Sequence, residues 1–133
     1  DLTASLSGMS RETDKSDIAR AGFEGIAFAI RDIKENMEML TGKTAETFKL
    51  LGGGAKSRLW SQIIADILQT PIHVQPNSDA AYGAGLLACL AHTGQMPSAA
   101  PNDAIMTFEP DTSLATFYAE KHAEFNLLRQ KLS

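Results

Sequence analysis

Residues 48–57 constrain the fold of this chain more than any other stretch. Phe48-Lys49-Leu50-Leu51 reads as a short buried strand, and Gly52-Gly53-Gly54 follows it at once. Ser57, a good helix N-cap, then opens a run carrying Leu59, Trp60, Ile63, Ile64, Ile67 and Leu68 in two adjacent apolar stripes. Three consecutive glycines supply bare backbone that can take angles closed to other residues. The helix behind them aims its unpaired N–H groups and its positive dipole end back at the turn. A strand–glycine turn–helix of this kind belongs to α/β architecture.

The rest of the chain alternates accordingly. From Asp14 to Leu40, apolar positions Ile18, Gly22, Ile26, Ile30, Ile33, Met37 and Leu40 predict one inward helical face. Asp14 or Thr13 is the cap and Gly42 the C′ glycine. Gly22 and Gly25 weaken this helix and are expected to sit close against a neighbouring backbone. Thr70-Pro71 stops the second helix, and Ile72–Gln75 alternates as a second strand. Asn77 or Ser78 caps a third helix, Asp79 to Thr93, closed by Gly94 and faced with small residues for tight packing. Residues 95–112 form a proline-punctuated loop with a short strand at Ile105–Phe108. A last helix, from Ser113 to Leu132, has Leu114, Phe117, Phe125, Leu128 and Leu132 inward. The order predicts parallel strands packed with helices. Two strands make an incomplete sheet, so further strands are expected from upstream sequence, with the chain an excised fragment.

Composition limits the function classes. The 133 residues suit one domain, and the net charge of −4 with no basic run argues against a nucleic-acid partner. No apolar stretch approaches the roughly 20 residues of a membrane span. The single cysteine, Cys89, rules out an internal disulfide and fits a reducing, cytoplasmic setting. His73, His92 and His122 show no ligand spacing with one another or with Cys89, so no metal site is expected.

Spacing tests the glycine turn against the standard nucleotide motifs. A Walker A loop needs Gly directly before the Lys-Ser pair, where Ala55 stands. A dinucleotide turn needs a third glycine where Ser57 stands, and an acid ending the next strand, which instead ends in Gln75-Pro76. From spacing alone, the turn is either a nucleotide seat of another type or simply a tight turn. A dinucleotide-dependent oxidoreductase domain and a non-catalytic α/β interaction domain stay open at this point. Around the turn, Lys56 reads as a solvated lysine before a catalytic one. Asp66 and Glu24 read as structural partners, Asp79 as a helix-start carboxylate, and Trp60 as core before an adenine-stacking ring.

The wider pattern resembles the FGGY carbohydrate kinases, most closely their xylulokinase branch. Gly52-Gly53-Gly54-Ala55-Lys56-Ser57, Leu59-Trp60, Gln62, Ala65-Asp66 and Pro71 are similar to that family's nucleotide-site signature. Ala80-Ala81-Tyr82-Gly83-Ala84-Gly85-Leu86-Leu87-Ala88 is similar to its Ala/Gly helix, with Gly85 where alanine is usual. Asp17-Ile18-Ala19-Arg20-Ala21 with Glu24-Gly25-Ile26-Ala27, and a terminal helix with Tyr118, complete the match. The resemblance implies part of a ribonuclease H-like (actin/hexokinase/Hsp70-like) ATPase lobe. Residues 1–133 would form a single domain within the C-terminal nucleotide-binding lobe of a two-lobed kinase, the N-terminal catalytic lobe being absent. It implies ATP-dependent phosphorylation of a sugar, D-xylulose in the nearest branch, with Gly53, Gly54 and Ala55 meeting adenosine and Gly52 shaping the turn. Ser57 or Arg58 would reach the nucleotide from the helix start, though related kinases often carry Asn at the Arg58 position. The catalytic base, the sugar site and the main Mg2+ ligands would lie outside this chain, so the chain alone is expected to be inactive. An open sheet edge would offer a surface for a homodimer.

Overall fold

The computed structural model describes residues 5–75, 80–95 and 105–132. Helix α1 spans Lys15–Thr41, strand β1 Phe48–Leu50, α2 Arg58–Leu68, β2 Ile72–Val74, α3 Ala80–Thr93, β3 Met106–Phe108 and α4 Ala115–Leu132. A 3-10 turn, Gly53–Lys56, joins β1 to α2, and another, Thr112–Leu114, precedes α4.

Local chemistry sets most of these boundaries. Asp14 caps α1 by accepting from the Ser16 and Asp17 amides, and Asp17 reaches back to the Asp14 amide, giving a reciprocal capping box. Gly42 ends the helix in the left-handed region (φ 64°), its N–H donating to the Glu38 carbonyl. Ser57 caps α2 by accepting from the Trp60 amide at 3.3 Å. Gly94 closes α3 at φ 72°. The caps expected at Asn77, Ser78 and Asp79 lie outside the described residues.

The sheet has the order β1-β2-β3. β1 and β2 are parallel, with Phe48 opposite Ile72 and Leu50 opposite Val74. β3 runs antiparallel to β2, Phe108 pairing with Ile72 and Met106 with Val74. The expected parallel pairing thus holds for β1 and β2, and β3 makes the sheet mixed: alternation with period two reveals a strand but not its direction. Lys49, His73 and Thr107 fall in register across the three strands. The residues flanking them, Phe48, Leu50, Ile72, Val74 and Phe108, belong to the core on the opposite face.

That core is built around α2, which buries Ser61, Ile63, Ile64, Ala65, Asp66, Ile67 and Leu68. Helix α1 packs chiefly on α2 and also touches α4. Phe28 of α1 meets Tyr118, His122 and Phe125 of α4, with ring centroids 5.5–6.3 Å apart.

The expected inward faces of α1 and α4 hold only in part: Ile30, Leu114 and Phe125 pack against the core, and the other positions are corrected by the structure. Ile26, Ile33, Met37 and Leu40 are exposed, Leu40 at 82%, while Ala27 and Phe28 are the buried residues of α1. The periodicity located an apolar stripe, but beyond Ile30 no described element covers most of it. In α4, Phe117, Leu128 and Leu132 are exposed, and Tyr118 and His122 are buried. Leu59 is likewise exposed. A Cβ added at Gly22 or Gly25 would meet nothing within 4 Å, so the close backbone approach expected there does not occur among the described residues. α3, expected to pack tightly through its small residues, has no buried residue, and Cys89 on it is half-buried.

Candidate nucleotide site

The glycine turn lies at the C-terminal end of β1, beside the parallel strand β2. The carboxyl ends of adjacent parallel strands are where ligands of open α/β sheets collect. Gly52 takes φ 89° and ψ −170°, a conformation essentially confined to glycine. The chain then tightens into a 3-10 turn through Ala55 N–H to Gly52 O (3.2 Å) and Ser57 N–H to Gly54 O (3.1 Å). Gly52, Gly53 and Gly54 are all exposed, so the bare backbone faces outward rather than lying sealed under other side chains.

The remaining residues of the expected site have distinct placements. Ala55 is buried at 5% exposure, its methyl in the core, so it offers a ligand only its backbone. The Ser57 hydroxyl oxygen is engaged in the cap, leaving its hydrogen to donate. Arg58 and Leu59, the first two helical positions, have amides with no intrahelical partner. The Arg58 side chain lines an open groove with Leu59, Gln62 and the β3 segment Met106, Thr107, Phe108 and Glu109. Gly54 instead faces Trp60, whose ring packs on Phe23 of α1 with centroids 5.4 Å apart. Lys56 is exposed. The turn thus brings Gly52, Gly53, Gly54 and the start of α2 together, and Arg58 there borders the groove shared with β3.

Electrostatically, the turn suits an anionic or polar ligand. Neither the 3-10 turn nor the first turn of α2 carries an acidic residue, so no carboxylate within those turns offsets the positive end of the helix, and Glu109 is the acid that shares the groove with Arg58. For the same reason these residues do not fit Mg2+, a hard cation that binds through carboxylate and water oxygens.

Two acids near the site are structural. Asp66 Oδ1 accepts from Gln62 Nε2 at 2.8 Å and from the Asp111 amide at 2.9 Å, fastening the approach to α4 onto α2. Glu24 accepts from Arg20 Nε at 2.8 Å and from the Tyr118 hydroxyl at 3.1 Å. Arg20 also donates to the Tyr118 oxygen at 3.0 Å. Burial pushes the Tyr118 phenol up, with Arg20 opposing it, and the hydrogen bonds to Tyr118 and then Glu24 hold the Arg20 guanidinium firmly protonated.

A network that sequence reading missed joins α1 to α4. His122 Nε2 lies 2.7 Å from Asp32 Oδ1, Arg129 donates to Asp32 Oδ2 at 2.6 Å, and Asn126 donates to Oδ1 at 3.3 Å. Polar atoms of Asp32, Glu35 and His122 fall within 4.8 Å of one another. Arg129 occupies Asp32 and Arg31 occupies Glu35 at 2.7 Å, so a cation there would meet two guanidiniums. The cluster is an ion-pair network. Sequence distance hid it: 90 residues separate the His122–Asp32 pair.

Comparison with known proteins places these features in a family. The chain is 40% identical over 87 residues to a glycerol kinase of Halobacterium salinarum, covering 61% of this chain and 17% of that protein. It superposes on a xyloylose kinase from Brucella ovis with a TM-score of 0.79 and 32% identity, covering 96% of this chain and 27% of the other. It superposes on Plasmodium falciparum glycerol kinase with ADP at a TM-score of 0.75 and 27% identity, covering 99% of this chain and 27% of the other. The chain therefore spans about a sixth of the length of the curated relative and about a quarter of these solved chains. The model of the FGGY family of carbohydrate kinases, C-terminal domain, matches residues 1–92, more than half of the sequence, and the chain belongs to that family.

Proposed function

We propose that this chain supplies the adenosine-binding part of a longer, two-lobed, ATP-dependent sugar kinase. The carrying observation is the exposed Gly52–Gly54 backbone at the end of β1, running straight into the capped start of α2. In this reading the adenosine portion of ATP rests on Gly53, Gly54 and the Ala55 backbone, and Gly52 shapes the turn. The Ser57 hydroxyl and the Arg58 and Leu59 amides face the ribose–phosphate side. Phosphoryl transfer depends mainly on positioning and charge stabilisation. This chain contributes the positioning of the nucleotide. In this reading the base for the sugar hydroxyl and the main Mg2+ ligands come from outside this chain, and the turn itself offers no carboxylate.

The substrate in this reading is D-xylulose. Similarity to the Brucella ovis enzyme over 96% of the chain supports it. Glycerol is the second reading, favoured by the 40% identity to the Halobacterium enzyme over 87 residues. A coupled ADP-release assay on the full-length kinase, with D-xylulose against glycerol, decides between them by kcat/KM.

Calorimetric titration of this chain with ADP, and separately with NAD, tests the seat. One ADP per chain and weaker NAD is the expected result; preference for NAD restores the dinucleotide reading. With Mg·ATP and D-xylulose the chain alone is expected to release no ADP above the blank. Ordinary turnover would refute its assignment as the nucleotide-binding part only.

A further inference from the structure

We infer that Trp60 is a ligand contact of the glycine turn, its indole N–H donating a hydrogen bond to an oxygen of the nucleotide's ribose–phosphate portion. The inference rests on the adenosine-seat reading and adds a donor to it. An atom placed where Gly54 lacks a Cβ would lie 3.4 Å from both Nε1 and Cδ1 of Trp60. The pyrrole edge of the indole therefore borders the very opening that the glycine leaves. That opening is at the surface, since Gly54 is exposed, and the indole is only half-buried.

The remaining geometry fits a fixed donor. Phe23 packs against the ring at 5.4 Å between centroids with a 43° tilt, holding its orientation from α1. The helical amide of Trp60 is bound to the Ser57 hydroxyl, which pins the first turn carrying the ring. Among the described residues, the indole N–H donates to no protein acceptor, which leaves it available to a ligand oxygen. A donor at the rim of bare backbone, backed by Phe23 and unpaired among the described residues, is an arrangement a ligand oxygen completes. Glycine at 54 is then required for access: any side chain there would stand between the ligand and Nε1.

Trp60 is the sole tryptophan, so the 15N-labelled chain has one indole N–H signal, assignable without mutagenesis. Titration with ADP is expected to shift that signal and slow its solvent exchange, along the same isotherm as the Gly52, Gly53 and Gly54 amides. A parallel titration with adenosine identifies the acceptor. Movement with adenosine assigns a ribose hydroxyl, and movement with ADP alone assigns a phosphate oxygen. Glycine amides that shift while the indole stays still overturn the Trp60 contact and leave the seat standing. No movement of any of these signals overturns the seat and the contact together. Trp60→Phe keeps the aromatic packing and removes the donor, and is expected to weaken ADP by about fivefold or more, the range of one lost hydrogen bond. Wild-type affinity in that folded variant would overturn the inference, and the wild-type titration decides the question should the variant not fold.

Discussion

His122 and Asp32 stand 2.7 Å apart, Nε2 to Oδ1, and this contact ties the last helix to the first. Both side chains are largely withdrawn from water, and Asp32 also holds Arg129. Burial works against the Asp32 charge, but the hydrogen bonds from His122 and Asn126, with Arg129 beside it, outweigh that and keep the carboxyl below its usual range. A carboxyl depressed by folding adds stability above its unfolded value, about 3.9. That stability is lost as pH falls through the folded value. Urea midpoints are therefore expected to drop below about pH 4, and Asp32→Asn is expected to flatten that part of the curve. At pH 7 the same substitution is expected to cost about 2 kcal/mol, the scale of hydrogen bonds to a charged group.

Gly52 and Gly54 are expected to respond differently to alanine. At φ 89° Gly52 has a conformation that an L side chain strains, so Gly52→Ala should destabilise the chain by about 1–3 kcal/mol. A Cβ at Gly54 makes only ordinary contact with Trp60 at 3.4 Å, and Gly54→Ala should stay within about 0.5 kcal/mol of the wild type. Urea titrations with unchanged slopes would establish the difference. If the two variants unfold alike, the turn geometry is wrong.

Removing the Ser57 cap separates the helix from its ligand role. Ser57→Ala leaves the Trp60 amide unpaired and is expected to cost about 1 kcal/mol, whereas Ser57→Gly should cost a few tenths. Thermal unfolding of the two variants side by side is the measurement.

The uncovered stripe of α1 makes a prediction about solution behaviour. Ile26, Ile33 and Met37 are each more than half exposed. Replacing all three by Glu is expected to change the unfolding free energy by less than about 0.5 kcal/mol per site. Light scattering should show less concentration-dependent association than the wild type. A large loss of stability would mean that this stripe is core after all.

What could be read in the sequence is what local chemistry decides. Asp14, Gly42, Ser57 and Gly94 each fix a helix end through a bond or angle within a few residues, and each stands where its residue type predicts. Phe48 and Ile72 were recognisable as strand residues for the same reason. The direction of β3 was not, because alternation along Met106–Phe108 is identical read either way. The orientation of α1 failed on other grounds. An apolar stripe states a demand for cover, and the elements in the described residues meet that demand on α2 instead. At the site, the glycines, Ser57 and Arg58 were legible as a motif. The Trp60 edge beside Gly54 required knowing how the turn stacks on the helix.

The register that aligns Lys49 with His73 and Thr107 has a practical consequence. β1 borders the described sheet, and its central residue is an exposed lysine. A positive charge at that point discourages stacking of one molecule's border strand on another's, a common safeguard against fibrous assembly. Replacing Lys49 by valine would remove the safeguard while improving the strand's intrinsic preference, and the chain would then trade solubility for a propensity to form intermolecular ribbons.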